Sequence, residues 1–195
     1  QVQFQRFGFV ALVKKYGGVV VGLTLDENGI PGTAEERLKI AERIIETAKS
    51  YGIGKKDIMI DPLTLAVSTG KNEALETLRA VRLIRDTLGV NTILGVSNVS
   101  FGLPQREVLN SAFYSLALEN GLSAAIINPM SSDMMKAYYA FNVIHGIDED
   151  CKRYIGKFAD EAINETVKTD NTLYEIIIKG LKSEAYNKTK ELLLE

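Results

Sequence analysis

The chain has one cysteine and one histidine. With Cys151 alone, neither an internal disulfide framework nor a cysteine zinc cluster can form, and a reducing, cytoplasmic setting is expected. With His145 alone, a histidine-rich metal site is excluded. Basic charge is not in excess: 23 Lys and Arg stand against 25 Asp and Glu, a net charge of -2. Nucleic acid is therefore not an expected partner. No apolar run reaches the ~18 residues of a membrane span, so no membrane partner is expected either. The first ten residues, "QVQFQRFGFV", lack the charged-then-apolar pattern of a signal peptide. What is present is ordinary for a globular protein: 195 residues, 46% hydrophobic and 25% charged. That is enough chain to bury a sizeable core.

The pattern along the chain alternates. Phe9 to Gly18 reads as the end of a helix closed by glycine. Val19 to Leu25 is a β-branched run, too short for a helix and suited to a buried strand. Thr33 and Glu36 then form a capping-box pair, and Leu38, Ala41, Ile44, Ile45 and Ala48 make one apolar helical stripe. The cycle recurs three times. Strands are expected at Asp57 to Asp61, Thr92 to Asn98 and Ala124 to Pro129. Helices are expected at Asn72 to Gly89, Arg106 to Gly121 and Ser131 to Gly146. Four strand-helix units imply a parallel sheet covered by helices, at the spacing of an eight-unit barrel. The stretch from Asp148 onward changes to amphipathic helix with no strand.

In parallel α/β folds the chemistry lies at the C-terminal ends of the strands. Here those ends read "LTLDENG", "MIDPLT", "GVSNVS" and "IINPMS", each with Asp or Asn at or just past the strand. Proline directly follows Asp61 and Asn128, which stops the strand and fixes the loop. Asp61 and Asn98 are the main constellation. As strand-terminal caps they would be ordinary, and pattern alone weighs that evenly against recognition of a flat heterocycle. A carboxylate with an ordinary pKa near ~3.9 can accept two parallel N–H bonds, and an amide can both donate and accept. Other motifs fail. "STGKN" lacks the upstream glycine of a phosphate loop, and Val99 stands where a nucleophile elbow needs glycine. His145 near a helix C-terminus reads as a dipole contact, and Met130, Met134 and Met135 read as packing.

At "MIDPLTLAVSTG", "GVSNVSFGLPQREVLN" and "GLSAAIINP" the sequence resembles the pterin-binding methyltransferases that take methyl from methyltetrahydrofolate. These are the folate module of cobalamin-dependent methionine synthase and the methyltetrahydrofolate:corrinoid protein methyltransferases. "GLTLDENGIP" and "PMSSDMMKAYYAFNVIHG" agree as well, and the resemblance runs from about Phe9 to Tyr154. It implies a TIM barrel related to dihydropteroate synthase. By resemblance, Asp61 is the sixth-strand aspartate that bonds the pterin, and Asn98 the seventh-strand asparagine that reaches N5, which bears the methyl group. Gly95 and Ser97 are its neighbours, Arg106 lies near the folate, and Ile126 packs on the ring. Phe101 stands where some relatives have a polar residue. The resemblance implies 5-methyltetrahydrofolate as substrate and a corrinoid on a partner domain or protein as acceptor. It implies no metal in this module.

The match covers only the last four βα units of the family barrel. The expected organisation is residues 1–154 as the C-terminal half of a barrel, and 155–195 as a helical linker with the start of a cobalamin-domain cap, from about Asn171. A half-barrel exposes two sheet edges and an apolar face, so a homodimer or a partner supplying the other half is expected. A half-barrel that binds folate or a corrinoid protein without turnover is the alternative. A dihydropteroate synthase-like condensation ranks lower, because "AAIINPMSS" has no Arg or His to bind phosphate. A Schiff-base aldolase is disfavoured, since no lysine ends a strand.

Overall fold

Four short aliphatic runs become the four strands of one parallel sheet, in the order in which they occur in sequence. The computed structural model describes residues 12–167, 173–178 and 182–193. The strands are β1 (Val20–Leu23), β2 (Ile58–Asp61), β3 (Asn91–Gly95) and β4 (Ala124–Ile126). Each is followed by a helix: α1 (Ala34–Ser50), α2 (Glu73–Leu88), α3 (Arg106–Glu119) and α4 (Ser132–Ile144). The described residues fall into two units, one ending at Ile147 and the other beginning at Asp148. The second is wholly helical where described, with α5 (Lys152–Val167), α6 (Leu173–Ile178) and α7 (Lys182–Leu192). Residues 12–16, ahead of β1, are helical and end at Gly17 with a φ of 75°. Phe9 to Ala11 of the expected first helix, and Asn171, lie outside the described residues.

Strand order and helix layering point the same way. Successive helices pack on one another, α1 on α2, α2 on α3 and α3 on α4, so they form a single layer. A doubly wound sheet reverses its strand order and places helices on both faces. An order of 1-2-3-4 under one helical layer is that of consecutive barrel staves. Ile58 and Ile60 of β2 join α1 and α2 in one core, and Leu94 of β3 joins α2, α3 and α4 in a second. Gly22 lets α1 lie close on the sheet, since a Cβ there would come 2.7 Å from Ile44 Cγ2.

Side chains alternate along a strand, so Val21, Leu23, Met59, Asp61, Ile93, Ala124 and Ile126 belong to the opposite face. Among the described residues of the β-sheet unit, α1 to α4 form their layer on the other face. Val21 and Leu23 are exposed, and Ile126 is 62% exposed. The apolar open face expected of a half-barrel is therefore present.

The helix caps follow the sequence closely. Thr33 Oγ1 accepts from the Glu36 amide and donates to the Glu36 carboxylate at 2.9 Å. Ser131 caps α4 through the Met134 amide, and α2 ends at Gly89 in the left-handed region. His145 closes α4, stacks on Phe141 and pairs with Glu119 Oε2 at 2.9 Å. Met134 is buried core, whereas Met130 is exposed and does not pack. No helix among the described residues is long and apolar enough to cross a membrane.

Candidate functional site

Asp61 is the last residue of β2 and only 9% exposed. Its main chain is held from one side, where the Thr24 amide donates to the Asp61 carbonyl at 3.0 Å. Its carboxylate turns back on the following loop: Oδ1 accepts from the Leu63 amide at 2.8 Å. That geometry puts Leu63 at a φ of 66°, a region that costs a non-glycine residue about 1–2 kcal/mol. Oδ2 has no donor among the described residues. The side chain lies on the open face, level with Leu23 of β1. Burial raises its pKa above the usual carboxylate range, and the Leu63 amide opposes that only in part. The ordinary value expected from the residue type is corrected accordingly: this carboxylate is costly to ionise.

Asn98 does not lie on a strand. β3 stops at Gly95, and residues Val96–Ser100 form a 3₁₀ turn that carries Asn98 just past the strand end. The expected strand to Asn98 is thus three residues too long. The reason is local: Ser97, Asn98 and Ser100 favour turn geometry over a ladder. Asn98 is exposed, and its amide makes no hydrogen bond to the described residues. It folds back over the strand end, because a Cβ at Gly95 would lie 3.2 Å from its Nδ2. Glycine is what leaves that space.

Arg106 holds this turn. Its Nε donates to Ser100 Oγ at 2.9 Å, and a terminal nitrogen donates to the Ser97 carbonyl at 2.8 Å. Ser100 Oγ in turn donates to Asn110 Oδ1 at 2.7 Å. The guanidinium also lies 5.9 Å from the centre of the Phe101 ring. Ser97 itself is half-buried and contributes its carbonyl to this lattice.

Two further bonds join the β2 and β3 loops. The Val67 amide donates to the Val99 carbonyl at 2.9 Å, and Ser68 Oγ donates to the Phe101 carbonyl at 3.0 Å. The loop after Asp61 and the turn bearing Asn98 are therefore one hydrogen-bonded body. Ile126 stands beside them, paired in register with Gly95. Asp61, Asn98, Gly95, Ser97 and Ile126 thus lie at the ends of three adjacent strands, with Arg106 bracing the middle one.

The arrangement can receive a flat, hydrogen-bonding ring. One carboxylate oxygen and one amide are unpartnered, and an exposed aliphatic side chain lies next to them. No group of three or more potential metal ligands occurs among the described residues. A concavity of about 470 Å³ lies elsewhere, on the β1–α1 loop and α1, lined by Asp26, Asn28, Ile30, Lys39 and Arg43. The strand-end site is not an enclosed pocket because the sheet face beneath it is open. Sequence reasoning missed Arg37, which contacts the loop behind Asp61. The signal was its spacing: Ala34, Arg37, Ala41, Ile45 and Ala48 share the buried stripe of α1.

A raised folded-state pKa has a definite sign. Protonated Asp61 favours the fold, a contribution complete below the unfolded pKa and lost as pH rises through the folded one. Asp61→Asn should therefore stabilise the protein at neutral pH, by on the order of 1 kcal/mol, and give no gain near pH 3. Urea titration at the two pH values checks this. A variant less stable than the parent at neutral pH contradicts it.

The chain is 34% identical over 140 residues to the methylcorrinoid:tetrahydrofolate methyltransferase of Eubacterium limosum, covering 71% of this chain and 52% of that protein. It is 41% identical over 127 residues to a methionine synthase of Mycobacterium tuberculosis, covering 61% of this chain and 11% of that protein. It therefore spans about half the length of the first and a small part of the second. A dihydropteroate synthase from Coxiella burnetii, solved with pteroic acid, is a looser likeness at 18% identity and a TM-score of 0.46, over 69% of this chain and 56% of that one. Residues 9–128, which include Asp61, Gly95, Ser97, Asn98, Arg106 and Ile126, match the family described as pterin binding enzyme. The chain belongs to that family of pterin binding enzymes.

Proposed function

We propose that this chain is the pterin-holding part of a methyltransferase that passes the N5 methyl group of 5-methyltetrahydrofolate to the cobalt of a corrinoid carried by a partner domain or protein. The observation that carries the proposal is the buried Asp61 carboxylate with one oxygen free, one strand away from the unpartnered Asn98 amide. The relatives' names, a methylcorrinoid:tetrahydrofolate methyltransferase and a methionine synthase, support the same reading.

The roles follow from the chemistry. Asp61 accepts N–H bonds from the pterin edge, and Ile126 packs on its ring. The Gly95–Ser97 backbone keeps close to the ring, and Arg106 keeps the Asn98 turn in place. A tertiary amine is a poor leaving group, so N5 must gain positive character and a hydrogen bond as its bond to the methyl breaks. N5 would keep the electron pair of that bond and take a proton from solvent, and the reduced cobalt of the corrinoid would supply the pair for the new bond. Asn98 offers the hydrogen bond that strengthens during this step.

Calorimetric titration with 5-methyltetrahydrofolate tests the site. Asp61→Ala should severely weaken binding. Asn98→Ala should leave affinity within a few-fold yet slow methyl transfer by on the order of 10²-fold. Negligible effects of both substitutions contradict the assignment.

A second reading, binding of folate or a corrinoid protein without turnover, is favoured by one observation: the sheet face below the site is open at Val21, Leu23 and Ile126. In the working protein that face would be covered by further strands, from a second copy or from another segment. Sedimentation velocity reads this directly. Association at micromolar concentration supports a second copy, and a stable monodisperse monomer counts against it.

A further inference from the structure

Arg37 makes four hydrogen bonds from a buried side chain. It lies in the first turns of α1 and is 0% exposed. Its Nε donates to the Pro31 carbonyl at 2.9 Å. One terminal nitrogen reaches three acceptors: the Leu63 carbonyl at 3.2 Å, the Pro62 carbonyl at 3.3 Å and Thr77 Oγ1 at 3.0 Å. The other lies 4.0 Å from Glu73 Oε2. Thr77 Oγ1 accepts from Arg37 and has one proton to give, shared between the Glu73 carbonyl at 2.9 Å and the Leu63 carbonyl at 3.2 Å. A buried cation held mostly by main-chain carbonyls is an expensive way to join two helices, because apolar residues of similar volume would serve as well or better. Burial lowers the Arg37 pKa, opposed by the nearby Glu73 and Glu76 carboxylates.

The two loop carbonyls that Arg37 grips are those directly after Asp61. They flank the Leu63 amide that donates to Asp61 Oδ1. Leu63 is the residue held at positive φ, and such a conformation persists only where its surroundings over-determine it. Arg37 and Thr77 supply that determination from α1 and α2.

We propose that Arg37 is a positioning residue for the pterin site: with Thr77, it locks the Pro62–Leu63 turn so that Asp61 is held with one carboxylate oxygen bound and the other presented on the open face. The proposal rests on Asp61 being the pterin anchor, and it names what holds that anchor. Lysine cannot replace the arginine, because an ammonium group lacks the planar fork that meets Pro31 on one side and Pro62, Leu63 and Thr77 on the other.

The test reads Asp61 itself, without ligand. The carboxyl carbon of Asp61 is followed by NMR across pH in the parent, Arg37→Lys and Thr77→Val. The two influences on its midpoint are burial and the Leu63 amide, and lysine retains the positive charge beside Glu73 and Glu76. Release of the turn relieves the burial that raises the midpoint and loses the Leu63 amide that lowers it; burial is the larger influence, so the midpoint should fall toward the ordinary value. A midpoint that rises or stays unchanged in a folded variant overturns the proposal. If Arg37→Lys fails to fold, Thr77→Val, which replaces the hydroxyl with a methyl group of similar size, carries the test.

Affinity for 5-methyltetrahydrofolate gives the second readout. Each variant should weaken binding about tenfold, the effect of one misplaced hydrogen bond, when Asp61 is present. Each should change it less than about twofold in an Asp61→Ala background, in which residual binding is compared at high ligand concentration. Equal losses in both backgrounds would mean that Arg37 supports the fold without acting through Asp61. A midpoint that moves while no form binds the folate would leave the positioning role standing and remove the pterin assignment instead.

Discussion

A carboxylate at the end of a buried strand is the constraint around which the β-sheet unit is arranged. β2 turns Ile58 and Ile60 into the helical layer, and alternation then commits Met59 and Asp61 to the other face. The bond from the Thr24 amide fixes the Asp61 main chain, and the Leu63 amide holds its carboxylate. It is kept where its charge is poorly hydrated, with a single amide to offset that. A fold optimised only for stability would place an apolar or amide side chain there. A partly satisfied carboxylate at a strand end is what the proposed site would use to meet a further donor.

The surrounding structure answers that constraint in layers. Leu63 adopts a left-handed conformation to donate to Asp61, and Arg37 and Thr77 hold Leu63 from behind. The β2 loop is then bonded to the 3₁₀ turn after β3, which Arg106, Ser100 and Asn110 brace. Two arginines thus do different work. Arg37 is buried behind the Asp61 turn, and Arg106 is exposed beside the Asn98 turn. Neither depends on the open sheet face, so the site's geometry is set by this chain's own loops even though the floor beneath it is uncovered.

Much of this was legible in the sequence. The four strands and their helices occur where the change from short aliphatic run to helical periodicity places them, and the cap at Thr33 is as expected. Three expected strand ends run too far, each where turn-forming residues follow an apolar run: Leu25, Asn98 and Pro129 lie beyond the ladder. Arg37 was hidden by its charge, since a helix arginine normally reads as solvent-facing. Only its position among Ala34, Ala41, Ile45 and Ala48 reveals that it points inward. The pKa of Asp61 was also out of reach, because it follows from packing on neighbouring elements and not from the residue type.

Backbone-amide chemical-shift mapping with 5-methyltetrahydrofolate tests the central claim most directly, because it reports where a pterin sits whether or not methyl transfer follows. The account predicts the largest shifts at residues 61–64 and 95–101, the two loops joined at the strand ends, with smaller ones at Ile126. Shifts confined to the concavity between Asp26 and Arg43, or an unperturbed spectrum at saturating folate, would contradict it.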